Sequence, residues 1–219
     1  MKACSPLMAG RCISDRRPWA AGVVAFGAAL LCVALLAAAQ RTGWLGWLDS
    51  GLMRWVGGVR DGEAGGHVTT LMRLASAAGG TAPRLILAAL FCAWLLADRR
   101  GRVARWLALT VIGGTLLNPA LKRIFAAPRP DLLPHLDSVH SYSFPSGHAA
   151  GTLIILGAMA MVAARRDIYW AAALLALLVG ASRVWLGVHW PGDVLAGWVE
   201  AAGWLALCAC WLPAGRGQQ

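Results

Sequence analysis

Long apolar runs separated by short polar clusters set the pattern of this chain. The runs cover about 19–39, 83–97, 103–121, 147–164, 168–188 and 193–212, and charge collects in the breaks, as in Asp98-Arg99-Arg100-Gly101-Arg102 and Arg165-Arg166-Asp167. A helix needs about 20 predominantly apolar residues to cross a bilayer. The pattern therefore predicts an all-α, polytopic membrane protein with six transmembrane helices, 83–97 being the shortest. Residues 40–82 read differently. They are Gly-rich and carry Trp44, Trp47, Trp55, Arg41, Arg54, Arg60 and Arg73. Leu45, Leu48, Leu52 and Val56 recur at helical spacing, which predicts a helix lying in the membrane interface. A second short helix is expected over 67–78, ending at Gly79-Gly80, and neither crosses alone.

The first run ends in Ala37-Ala38-Ala39, which resembles a signal-peptidase site. A run of about 20 residues exceeds the roughly 7–15 of a signal core, so it is read as the first span. Neither an internal repeat nor a linker divides residues 1–219, which are read as a single integral-membrane domain.

Composition sharpens this. Hydrophobic residues make up 58% and charged residues 14%, with a mean hydropathy of +0.60. Soluble domains carry roughly a quarter charged residues. The net charge of +10 comes without a soluble basic domain or an aromatic-interleaved patch, so nucleic acid is excluded as a partner. Topology accounts for the excess. With residues 1–18 in the cytoplasm, six alternating spans put Lys2, Arg11, Arg16, Arg17, Arg99, Arg100, Arg102, Arg105, Arg165, Arg166 and Arg216 there, 11 of the 20 basic residues. Both termini are then cytoplasmic. Segments 40–82, 122–146 and 189–192 face the other side, outside the cytoplasm. Short loops and the absence of organellar signals point to a bacterial inner membrane. The six Cys stand at 4, 12, 32, 92, 208 and 210, four of them inside apolar runs, where Cys behaves as a small hydrophobe. Their spacing predicts neither a zinc site nor a disulfide, and no metal or other cofactor is expected.

Three polar clusters stand at the outer ends of the spans. Lys122-Arg123 leads to Arg129-Pro130; Pro145-Ser146-Gly147-His148 opens the fourth span; Ser182-Arg183 leads to His189 and Asp193. Ionisable groups at membrane depth are expensive and default to function. Lys122, Arg129 and Arg183 suit a tetrahedral oxyanion. Ser146 is a good N-cap, and with the Gly147 N–H it offers neutral donors at a helix N-terminus, where phosphate is the usual guest. His148 and His189 can divide acid and nucleophile roles. Asp193, four residues after His189, can reach back to the imidazole, fix its tautomer and make the other nitrogen more nucleophilic. A structural alternative for Arg183 is an ion pair with Asp193 or Glu200.

Lys122-x6-Arg129-Pro130, Pro145-Ser146-Gly147-His148 and Ser182-Arg183-x5-His189-x3-Asp193 together resemble the three-part signature of the type 2 phosphatidate phosphatase superfamily. All three parts match, in order, across 122–193. The resemblance implies an integral-membrane lipid phosphatase that works through a phosphohistidine without an obligatory metal. Carried over by position, His189 is the nucleophile and Asp193 holds its other nitrogen. His148 protonates the leaving oxygen and then serves as base for water. Lys122, Arg129, Arg183, Ser146 and Gly147 hold the phosphate oxygens. The implied substrates are undecaprenyl diphosphate, phosphatidylglycerophosphate, phosphatidate and lipid A phosphates, with an isoprenyl diphosphate or phosphatidate type favoured.

Other readings keep the same residues. A phosphotransferase would pass the phosphate to an alcohol, a haloperoxidase would be soluble, and an anionic-lipid transporter would not need His189 with Asp193. Arg123 is expected to point away from Lys122. His135, His140, Asp131 and Asp137 are read as solvated surface, Tyr142 and Phe144 as possible lining of a lipid entrance, and Glu200 as facing a neighbouring helix.

Overall fold

The computed structural model describes residues 17–63 and 65–213. The basic residues 2, 11, 16 and 216, on which part of the topology argument rests, lie outside that range. The described residues form eight helices and no strand: α1 (Arg17–Arg41), α2 (Gly46–Arg60), α3 (Gly65–Ala78), α4 (Thr81–Ala97), α5 (Gly101–Phe125), α6 (Gly147–Ala163), α7 (Arg166–Trp185) and α8 (Pro191–Ala209). Each expected apolar run coincides with one of α1 and α4–α8. The ends differ by at most four residues: α1, α4, α5, α7 and α8 begin two residues before their runs, whereas α6, α7 and α8 end one to three residues before theirs.

Trp19–Arg41 and Arg166–Trp185 are each long and apolar enough to cross a membrane alone. Helices α3 and α4 meet that test jointly, bent by 52° at Gly79-Gly80. The glycine pair expected to end a short helix is thus the bend of a broken pair. Leu48 and Leu52 of the interfacial stripe point outward, as do Trp44, Trp47 and Trp55. The face that α2 buries carries Asp49, Met53, Val56 and Gly57. The helix was legible from its period, but its inward face is partly polar.

Helix α1 packs along α8. A Cβ at Gly203 would fall 2.3 Å from Ala29 Cβ, so α1 seats Ala29 against bare backbone of α8. Trp19 also stacks on Trp211 with ring centroids 5.4 Å apart. At one end of the bundle Leu95, Trp106, Leu107, Ile155, Ala158 and Cys208 form a core, in which Trp106 Nε1 donates to the Cys208 carbonyl at 2.8 Å. At the other end Met53, Ala149, Leu186, Val188 and Val194 pack together. That second core carries the C-terminal end of α7, the N-terminal ends of α6 and α8, and part of the long connection 126–146.

Candidate active site

Four helix ends and one loop converge here. Helix α5 ends in a left-handed Ala126 (φ 47°), which turns the chain sharply after Lys122. The connection that follows is tied down at two points: Ser143 N donates to Ala127 O (3.0 Å) and Leu136 N to Leu186 O (2.9 Å). Arg129 is thereby held over the turn between α7 and α8. Its Nη1 donates to Val188 O (2.6 Å) and its Nε to Ser141 O (2.9 Å). Lys122 Nζ donates to the carbonyls of Tyr142 and Ser143.

His189 is 2% exposed, in the turn before α8. Its Nδ1 lies 3.1 Å from Asp193 Oδ2, and its Nε2 lies 3.5 Å from Arg129 Nη1, on the cleft side. The i,i+4 reach expected across Pro191 is present. A carboxylate at Nδ1 selects the tautomer with its proton there and leaves the Nε2 lone pair free. Burial pushes His189 down to about 4, against the hydrogen bond and charge of Asp193, which pull it up. The ring is neutral at neutral pH, as a nucleophile must be.

Asp193 is itself enclosed by donors. Oδ2 accepts from Ser143 Oγ and from Trp190 N (3.0 Å), and Oδ1 from Gln40 Nε2 (3.1 Å). Gln40 also donates to Asp49 Oδ2 (3.2 Å), and Asp49 Oδ1 accepts from Gly192 N at 2.9 Å. Helices α1 and α2 therefore reach the carboxylate that orients His189. Neither Gln40, Asp49 nor Ser143 belongs to a spaced motif.

Ser146 is the N-cap of α6 by position, but its side chain makes no capping bond; its buried Oγ has no hydrogen-bond partner among the described residues. Its backbone N donates to Asp193 O (2.9 Å), which fixes the approach to the helix. At Gly147 a Cβ would sit 2.8 Å from Asn118 Oδ1, so only glycine admits Asn118 there. Asn118 Nδ2 in turn donates to the buried Glu200 Oε2 at 2.8 Å. Glu200 does face a neighbouring helix, and its partner stands one turn before Lys122.

Arg183 is 1% exposed and pairs with neither Asp193 nor Glu200. Its Nη1 donates to Ser76 Oγ and forms an ion pair with Asp137. Asp137 is therefore not plain solvated surface. Partial burial pushes its carboxyl up, but the Arg183 hydrogen bond and charge, with Ser76, hold it below the usual range. Asp131 and His140 are exposed, and His135 bonds Pro130 O at 2.7 Å. Phe144 is fully buried, edge-on to Phe125 at 5.1 Å, whereas Tyr142 is half exposed. Arg123 is exposed.

Lys122, Arg129, Arg183, Gly147, His148 and His189 all line one cleft of about 360 Å³, with Asn118 and Arg84. Among the described residues no carboxylate lines it. A space of that size, walled by cations and a helix N-terminus, suits a phosphate group.

A model of the PAP2 superfamily matches residues 103–216, just over half of the chain. The chain belongs to the PAP2 superfamily. The match contains all three motifs that carry the resemblance. Undecaprenyl-diphosphatase BcrC of Bacillus subtilis is 35% identical over 120 residues, 51% of this chain and 60% of that protein. Phosphatidylglycerophosphatase B of Bacillus subtilis is 37% identical over 102 residues, 42% of this chain and 50% of that protein. The matched stretches thus span about half to three fifths of these curated relatives. The crystal structure of a transmembrane PAP2 type phosphatidylglycerolphosphate phosphatase from Bacillus subtilis superposes with a TM-score of 0.71 at 27% identity, covering 84% of this chain and 93% of that one. A PAP2 membrane phosphatase fold and an integral-membrane setting follow for this chain.

Proposed function

We propose that this chain is a lipid phosphatase that removes a phosphate from a lipid phosphate monoester or diphosphate through a phosphohistidine. One observation carries the reading: a neutral His189, backed by Asp193, presents Nε2 to a cleft lined by Lys122, Arg129, Arg183, the Gly147 backbone and His148. Nε2 attacks phosphorus in line, and the phosphorus–oxygen bond to the lipid breaks. His148 gives its proton to the departing oxygen. It then takes a proton from water, which attacks the phosphohistidine and releases inorganic phosphate. The three cations and the Gly147 N–H hold the nonbridging oxygens as charge shifts; Ser146, expected to join them, is fully buried and outside the cleft lining. Phosphoryl transfer is mostly positioning and electrostatics, so such a cage is chemically sufficient.

The membrane reading supports this. We read α1 and α4–α8 as six spans of one domain in a bacterial inner membrane, with α2 and α3 at the interface. Arg99, Arg100, Arg102, Arg105, Arg165 and Arg166 lie at the ends of the helices opposite the cleft, which favours a cytoplasmic position for them and an extracytoplasmic cleft. A site there suits a carrier lipid released outside, and undecaprenyl diphosphate heads the candidates, ahead of phosphatidate and phosphatidylglycerophosphate. No metal enters the scheme, and EDTA is expected to leave turnover intact.

The test is phosphate release from a panel of lipid phosphates and diphosphates by detergent-purified protein, beside His189→Ala. The reading expects release by the wild type and a loss of roughly four decades in the variant. Equal release by both would overturn it.

A further inference from the structure

Arg84 is a fourth cation in the cleft, delivered by α4 and absent from all three motifs. Its Nη1 donates to the carbonyls of Gly147 (2.7 Å) and His148 (3.2 Å). Its Nη2 reaches only Thr81 Oγ1, at 3.4 Å, and its buried Nε has no partner among the described residues. All these acceptors are neutral, and among the described residues no carboxylate lines the cleft. Helix α6 is shaped for it: a Cβ at Gly151 would fall 2.0 Å from Arg84 Nη1, so the guanidinium lies against bare backbone one turn after Gly147. A guanidinium at membrane depth with donors to spare and no counter-charge is expensive to keep and calls for an anion.

Its position says which anion. Arg129 stands beside the nucleophile His189, whereas Arg84 is bound to the backbone of His148, the residue that serves the departing oxygen in the proposed reaction. A monoester leaves as a neutral alcohol, with nothing there for a cation to hold. A diphosphate leaves as a lipid monophosphate, which keeps its negative charge next to the bridging oxygen.

We infer that Arg84 binds the lipid-proximal phosphate of a lipid diphosphate and makes diphosphates the preferred substrates over monophosphates. The inference rests on the phosphatase reading and narrows its substrate class. His189 Nε2 bonds to the terminal phosphorus, and the bond from that phosphorus to the bridging oxygen breaks. The electron pair stays on that oxygen, which takes the His148 proton and becomes a terminal oxygen of the lipid monophosphate held by Arg84. Water then cleaves the phosphohistidine, giving inorganic phosphate and returning a proton to His148.

A matched pair of substrates tests this, farnesyl diphosphate and farnesyl phosphate, assayed with full-length protein, Arg84→Gln and Arg84→Lys. The wild type is expected to favour the diphosphate in kcat/KM. Arg84→Gln lowers that selectivity about tenfold or more, the usual weight of a charge-assisted hydrogen bond, and Arg84→Lys keeps most of it. A wild type that favours the monophosphate overturns the inference. So does an Arg84→Gln variant that loses both activities in parallel, since Arg84 would then only brace α6. If the wild type hydrolyses neither, the phosphatase reading falls, and calorimetry decides the inference separately. Tighter binding of the methylene bisphosphonate analogue than of farnesyl phosphonate, lost in Arg84→Gln, supports it, and equal affinities overturn it.

Discussion

His189 joins two demands that conflict elsewhere: a buried ring that stays neutral, and a carboxylate beside it that steadies the charge formed when phosphorus is attacked. Because burial holds the free ring down to about 4, the nucleophile stays competent far below the ordinary histidine range. Activity therefore falls on the acid side only as pH drops through about 4, when His189 takes a proton. A kcat/KM profile already collapsing near 6.5 on its acid side would contradict this assignment. Asp193→Asn keeps the shape but loses the acceptor that sets the tautomer, and roughly a thousandfold drop in kcat is expected. Asp137 acts on another member of the cage. Asp137→Ala strands a guanidinium that is 1% exposed, at a cost of about 1–3 kcal/mol, read as a lower thermal midpoint. Inorganic phosphate, by restoring a partner to Arg183, is expected to recover part of that loss.

Among the elements, α6 and α8 are tied to each other before they are tied to substrate. Ser146 N bonds Asp193 O, and Gly147 is closed over by Asn118 from α5. Replacing Gly147 with Ala drives a methyl into Asn118 Oδ1 and shifts the helix end that meets phosphate. The expected result is a rise in KM with a fall in kcat, and a KM unchanged from wild type would count against that role. Helix α1 reaches the same carboxylate through Gln40, 153 residues away from Asp193 in sequence. Its packing on α8, with Ala29 seated against Gly203, holds Gln40 in that reach. Gln40→Leu is expected to lower kcat by about tenfold with little change in KM, because it acts on Asp193 and not on substrate.

Across the whole molecule, the helices were legible because the apolar runs are long and their breaks are charged or glycine-rich. The residues resembling the family signature were legible because chemistry fixes their spacing within a turn or a helix end. What escaped depends on pairing between distant helices. Arg84 is one arginine near the start of an apolar run, Ser76 meets Arg183 across 107 residues, and Asp137 looked like loop surface. The Leu48–Leu52 stripe announced α2, yet the polar Asp49 on the opposite face carries its link to the site.

The covalent step is the centre of the account, and trapping it is the most direct test. Wild type and His148→Ala are quenched within milliseconds of mixing with a lipid diphosphate, and the acid-labile phosphate is mapped by mass spectrometry. The account predicts phosphate on His189, accumulating further in His148→Ala, where water lacks its base, and absent from His189→Ala. Turnover by the wild type with no phosphate on His189 at any time point, or phosphate on another residue, would contradict it.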